Sequence, residues 1–361
     1  MRFCSIGFRH FRNLVDSLVP VDSSQIVLIG DNGQGKTNFL EALYVLCYGS
    51  SFKALNTREL ITHGEHEFTL SAMFETEEGF NQQISFQFAE GKRQIFIDGR
   101  EIHDRKELIY NIPCIVFSHD DIEFIRGTPE SRRRFFDQTM SMYNPVFFDD
   151  LRRYRMVLRQ RNAAIKENLT SLIPFYDTQL AKIGMDIQYQ RKQAIDEFNT
   201  IFPLLYQKVS QTDTGMHIAY RPSWGDCATV AEAQEKLART LDRDLRMQTT
   251  ASGIHRDQFI VMDNTGNFSL SGSTGQLRLA SLIFRMAQVF SYRQKTHKDP
   301  ILLLDDVLLE LDVAKRGLFL EQLGGYSQAF FTFLPDEQYF SDIAKAGTMR
   351  YHVDKGRFVA Q

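Results

Sequence analysis

The chain has 361 residues and a mass of 41.8 kDa, enough for about two domains at roughly 150 residues each. Hydrophobic residues make up 43% and charged residues 24%, which excludes a disordered, collagen-like or low-complexity protein. Its 42 basic and 45 acidic side chains leave a net charge of −3, so any nucleic-acid surface has to be a local patch.

Taken from the N-terminus, the first clear element is Ile26-Val27-Leu28-Ile29, a short β-branched run bounded by Ser23-Ser24 and Gly30 that reads as a buried strand. Gly30-Asp31-Asn32-Gly33-Gln34-Gly35-Lys36-Thr37 follows and fits G-x-x-x-x-G-K-[ST] in full. After Thr37 the apolar spacing turns helical through Leu40, Leu43 and Leu46 until Gly49. A strand, a glycine-rich turn and a helix are the setting this motif needs. The glycines let successive N–H groups wrap a phosphate at the helix start. Lys36 would neutralise β- and γ-phosphate charge, and the Thr37 hydroxyl would hold Mg²⁺. The bland reading is a plain strand-to-helix turn.

Residues 68–74 and 84–88 alternate with period two, and Gln94 to Ile97 ends at Asp98-Gly99, a hairpin signal. An antiparallel sheet beside a parallel one is expected. From 126 to 250 the character changes to long helical patterns rich in Arg, Gln, Ala and Leu, read as a helical insertion. Between Arg126 and Lys166 ten basic residues face four acids, a local excess of +6. Arg152, Arg155 and Arg159 follow i, i+3, i+7 spacing on one helix face. Such a face can track phosphates without reading sequence, and Arg132, Arg133 and Arg134 join it as DNA-binding candidates. A solvated helix, or arginines paired with acids elsewhere, is the alternative.

Residues 251–361 return to strand and helix: a strand from Gln258 to Asp263, a turn at 264–266, a helix from about Thr274 to Tyr292, and a strand from Ile301 to Leu304. The 301–304 strand ends in Asp305 and Asp306. Beside the loop strand, Asp305 would sit near Mg²⁺ and Asp306 could orient or deprotonate the attacking water. Asp306 has one methylene fewer than the Glu often found there, so slow hydrolysis is expected, with nucleotide acting as a switch. Capping of a following helix is the alternative. Before the 274–292 helix lies Leu270-Ser271-Gly272-Ser273-Thr274-Gly275-Gln276-Leu277-Arg278, a second anion site in form. One nucleotide does not need two such sites in one copy. The economical reading is that this one caps a triphosphate held by a second copy, and a turn with an N-cap is the other.

Other chemistry is not indicated. The histidines show no H-E-x-x-H spacing, and no G-x-S-x-G is present. Cys4, Cys47, Cys114 and Cys227 make no C-x-x-C pair and read as reduced thiols. No apolar run reaches membrane-spanning length and there is no apolar signal core, so a cytoplasmic protein is expected.

Together GDNGQGKTNFLEALY, STGQLR and ILLLDDVLLELD resemble the ABC-type ATPase heads of the SMC and RecF group. Within that group the RecF recombination mediators are also similar at Phe11-Arg12-Asn13, at 127–137 (GTPESRRRFFD) and at 253–257 (GIHRD). The resemblance implies an α/β P-loop NTPase fold with mixed parallel and antiparallel sheets and a mainly helical inserted domain. The head would comprise 1–125 and 251–361, and the insertion 126–250. It implies Ser273, Gly275 and Gln276 as signature residues and Asp312 as a dimer-facing aspartate. Phe333 stands where such heads often place a polar switch residue. It further implies ATP and Mg²⁺ as cofactors and a homodimer formed on ATP. The implied partners are double-stranded and gapped DNA, RecR- and RecO-type mediators, and RecA. The expected function is a repair and recombination mediator with weak, DNA-stimulated ATPase activity. A transporter ATPase subunit would have a shorter loop-to-signature span, and a chromosome-structuring protein would carry long heptad arrays between Thr37 and Ser273.

Overall fold

A computed structural model of the chain describes residues 1–335 and 347–361. In chain order it has β1 (Arg2–Arg9), β2 (Ser17–Pro20), β3 (Gln25–Ile29), α1 (Lys36–Tyr48), β4 (Phe68–Glu75), β5 (Asn81–Ala89), β6 (Lys92–Ile97), β7 (Arg100–Glu101), α2 (Lys106–Asn111) and β8 (Cys114–Phe117). Then come α3 (Glu123–Arg126), α4 (Pro129–Ser141), α5 (Pro145–Lys166), α6 (Ile173–Ser210), β9 (His217–Arg221), α7 (Val230–Arg239) and α8 (Leu241–Met247). The remainder is β10 (Gln258–Asp263), β11 (Gly266–Asn267), α9 (Phe268–Ser271), α10 (Thr274–Thr296), β12 (Ile301–Leu304), α11 (Val313–Gln322), β13 (Gln328–Phe333), β14 (Met349–Asp354) and β15 (Arg357–Ala360). Two compact units result, one of 1–120 with 292–361 and one of 121–291. The second therefore groups 251–291 with the 126–250 segment.

The first unit holds two six-stranded sheets. One runs β2-β1-β4-β5-β6-β7 and is antiparallel throughout. Its strands alternate: Phe68, Leu70, Ala72 and Phe74 of β4 are buried, as are Ile84, Phe86 and Phe88 of β5. Asp98 and Gly99 take φ of 49° and 77°, the turn their sequence predicts between β6 and β7. The other sheet runs β15-β14-β3-β13-β12-β8, parallel from β14 to β8. Its β3, β12, β13 and β8 are buried on both faces, the expected state of a covered parallel sheet. Helix α1 lies between the sheets, with Phe39 against Phe8 of one and Phe330 and Phe358 of the other. Gly49, at φ 63°, ends α1 as a left-handed cap.

The second unit is helical, with a three-stranded sheet β11-β10-β9. Strand β9 interrupts the segment expected to be helical; HIAYR is short and pairs with β10 about forty positions later. Thr128-Pro129 and Asn144-Pro145 start α4 and α5 with a side-chain cap and Pro at the first position. Phe135, Phe136, Phe198 and Phe284 pack edge-on and tilted in its interior. Three arginines are buried with acids. Arg161 bonds Asp177 and Asp244, both at 2.6 Å. Arg191 bonds Asp137 and Asp257. Arg285 bonds Asp121 at 2.8 Å while lying over the ring of Phe124. Neutralisation with hydrogen bonds is what makes such burial tolerable.

Candidate nucleotide-binding site

The phosphate-loop residues lie between β3 and α1, as the motif requires. Gly33 and Gly35 take φ of 78° and 116°, which disfavours any residue with a Cβ. Gly30 has a different reason: a Cβ there would come within 2.3 Å of Val353 O. Lys36 is only 4% exposed, and its Nζ donates to the carbonyls of Gly30 at 2.6 Å and Asp31 at 3.3 Å. It also lies 3.8 Å from Asp306. A buried ammonium held by carbonyls at the loop mouth is a fixed positive charge for an anion.

The acidic strand end is brought to this loop from 268 positions away. Thr37 Oγ1 donates to Asp305 Oδ1 at 2.7 Å. Contrary to the expectation that the two strands are neighbours, β13 lies between β3 and β12. Asp305 still reaches Thr37 because it stands beyond the strand end. Strand β13 adds Thr332, whose hydroxyl donates to Asp306 Oδ1 at 2.8 Å and accepts from the Asp306 N–H at 2.7 Å. Asp306 itself is held at φ 52°, a left-handed conformation. Burial pushes the Asp305 carboxyl up to about 6; the Thr37 hydrogen bond opposes this, the Asp306 charge adds to it, and Lys53 and Thr332 pull it back.

Thr37 and Asp305 are hard oxygen donors that already approach one another, which suits a small divalent cation. No cluster of three or more His, Cys, Asp or Glu able to hold a metal occurs among the described residues. Two protein oxygens, completed by phosphate and water, is the coordination Mg²⁺ commonly accepts.

Ser273, Gly275 and Gln276 are exposed at the start of α10, in the second unit. Ser273 N–H donates to Gln276 Oε1 at 2.9 Å, and Gln276 N–H lies 3.4 Å from Ser273 Oγ, a reciprocal cap. Asp312 caps α11, accepting from the Lys315 N–H at 2.9 Å. Phe333 is buried at the end of β13.

The basic candidates divide. Arg134, Arg152, Arg155 and Arg159 are exposed. Arg155 lies 3.7 Å from Asp137, and Arg152 sits over the Phe148 ring. Arg132 and Arg133 are only part-exposed and spend their guanidinium N–H groups on backbone carbonyls, Ile125 and Gly127 for the first and Asp257 for the second. Arg161, counted in the basic excess, is fully buried. In the GIHRD segment Asp257 is an internal hub, accepting from Arg191, Tyr220 and the Ser223 N–H. His255 meets Tyr154 Oη and Thr250 O, each at 3.0 Å.

Three residues around the loop have roles that the sequence does not show, although Arg12 belongs to the Phe11-Arg12-Asn13 stretch noted for its family resemblance. Arg12 grips the buried Glu41 with two hydrogen bonds of 2.9 Å, Lys53 acts on Asp305, and Thr332 holds Asp306. Glu41 in an apolar helix and Thr332 in the apolar run QAFFTF were the legible signals, since a polar group placed there needs a partner.

The family model of the RecF/RecN/SMC N-terminal domain matches residues 3–351. The chain is 40% identical over 349 residues to the DNA replication and repair protein RecF of Treponema pallidum (strain Nichols), covering 96% of this chain and 98% of that one. It is 32% identical over 336 residues to the RecF of Leptospira interrogans (serovar copenhageni), covering 91% and 90%. A solved structure of the recombination mediator protein RecF with ATP, in the RecFOR pathway, superposes with a TM-score of 0.90 at 25% identity, covering 99% of this chain and 97% of that chain. An Smc head bound to the C-terminal winged-helix domain of ScpA shares the fold, with a TM-score of 0.59 at 14% identity over 100% and 98% of the two chains.

Proposed function

This chain belongs to the RecF family of the RecF/RecN/SMC group, and from that premise we propose that it is an ATP-switched DNA repair and recombination mediator of the cytoplasm. The observation that carries the reading is the meeting of Thr37 with Asp305 at 2.7 Å, with Lys36 buried beside them. Phosphate oxygens would be received by the N–H groups of the loop and by Lys36. Thr37 and Asp305 would hold Mg²⁺, which would supply neutralisation of phosphate charge. Asp306, oriented by Thr332, would accept the proton of the attacking water. Its short side chain and the apolar Phe333 favour slow turnover, so the triphosphate acts as a switch.

Ser273, Gly275 and Gln276, exposed at a helix start, would complete the pocket of a second copy, giving a homodimer on ATP. Arg134, Arg152, Arg155 and Arg159 form the favoured surface for double-stranded or gapped DNA. By family likeness, RecO- and RecR-type proteins and RecA are the partners at single-strand gaps.

Binding of a gapped duplex with ATP, with ADP and by the Lys36→Ala variant tests the reading. Tighter binding with ATP, lost in the variant, is expected. Equal binding in all three would remove nucleotide from the function.

A further inference from the structure

The phosphate loop is gripped from outside by two segments remote from it in sequence. Gly33 O accepts from Asn13 Nδ2 at 3.0 Å. Gln34 O accepts from the Gly356 N–H at 2.8 Å, and Gln34 Oε1 from the Lys355 N–H at 2.7 Å. In a trans peptide the C=O and N–H point opposite ways, so drawing the Gly33 and Gln34 carbonyls outward turns the N–H groups of Gln34 and Gly35 toward the other side. The Gln34 N–H accordingly turns back into the loop, where it donates to Asp31 O at 3.4 Å. Successive inward N–H groups are what an anion nest consists of.

The outer grip depends on a two-residue hairpin turn. Lys355 and Gly356 link β14 to β15 with φ of 45° and 76°, the pattern of a tight turn with both central residues left-handed. Gly356 O also accepts from the Val15 N–H at 3.0 Å. A Cβ on Gly356 would lie 2.1 Å from Asn13 O and 2.9 Å from Leu14 Cα. A Cβ on Gly35 would in turn lie 2.9 Å from Leu14 Cδ2 and 3.5 Å from Gly356 Cα. Three backbone segments therefore approach as closely as glycine allows.

We infer that the Lys355–Gly356 turn is a positioning element for the phosphate loop: it presets the inward N–H groups from behind. Docking of the turn and binding of nucleotide are then coupled, and each must strengthen the other. The inference rests on the reading of the loop as a triphosphate site.

ADP is the probe, measured by calorimetry on the full chain. Gly356→Ala is expected to weaken ADP by about tenfold or more, because the left-handed strain and the Asn13 clash displace the turn. Arg357→Ala, an exposed position on β15 just beyond the turn, should stay within about twofold of the parent. Affinity of Gly356→Ala within about twofold of a parent that binds ADP would overturn the inference alone. A purely structural turn would lower the melting temperature while leaving that affinity intact. A parent that does not bind ADP overturns the functional reading and the inference with it. Should Gly356→Ala not fold, amide exchange in the parent decides. Saturating ADP should slow exchange at the Lys355 and Gly356 amides by about tenfold, and unchanged rates overturn the coupling.

Discussion

Thr37 and Asp305, 268 positions apart, share one hydrogen bond of 2.7 Å, and this places the end of β12 at the mouth of the phosphate loop. The pair is the proposed seat of Mg²⁺, so its substitutions should act through the metal. Asp305→Asn and Thr37→Ala are expected to weaken ATP by at least about tenfold in Mg²⁺, and much less with the metal chelated. Thr37→Ser should retain most of the affinity. Titration with a fluorescent ATP analogue, with and without EDTA, checks this, and equal losses in both conditions would argue against the metal assignment.

Stability should carry a pH signature from His255. Burial, opposed by the hydrogen bond with Thr250 and reinforced by Arg256, Arg133 and Arg161, lowers its pKa from 6.5 to about 4. The folded state thus favours the neutral ring. The contribution is complete above pH 6.5, where both states are neutral, and is lost as the pH falls through about 4. It amounts to about 3 kcal/mol at most. Urea unfolding between pH 7 and pH 4 should show a smaller loss for His255→Gln than for the parent. An identical slope in both proteins would place the pH dependence elsewhere.

Arg191 is buried between Asp137 and Asp257, with Tyr220 also donating to Asp257. Arg191→Met leaves two buried carboxylates without their cation. Chemical denaturation should register a loss of about 3–5 kcal/mol, against less than about 1 kcal/mol if the network is dispensable.

Charge reversal on the exposed face of α5 should separate the proposed DNA binding from nucleotide binding. Arg152→Glu, Arg155→Glu and Arg159→Glu together should weaken duplex binding and flatten its salt dependence by about 0.9 per lost phosphate contact. ATP affinity should stay unchanged. Arg132→Ala, whose guanidinium serves backbone carbonyls, should lower the melting temperature instead. If Arg132→Ala alone reproduced the loss of DNA binding at unaltered stability, the division of the arginines would be wrong.

How much of this was legible differs residue by residue. The loop was readable because its requirement is local: glycines at left-handed angles between a strand and a helix, all within one stretch. Asp305 and Asp306 were readable as a strand end, but the insertion of β13 between β3 and β12 was not, since strand order depends on crossovers that leave no mark on neighbouring residues. The arginines show the opposite limit. Arg161 and Arg159 look alike in sequence, yet the first is sealed against Asp177 and Asp244 while the second is exposed. The acids that decide this lie far along the chain. The clasp of Gln34 by Lys355 and Gly356 was equally hidden, because its donors are main-chain N–H groups that every residue type but proline carries.

The proposed joining of two copies by a shared triphosphate is tested most directly by the mass in solution of Asp306→Asn, which should bind ATP without turning it over. Light scattering across a concentration series should give twice the chain mass with ATP and Mg²⁺, and the single-chain mass of about 42 kDa with ADP or no nucleotide. The single-chain mass at every concentration with saturating ATP would contradict the account.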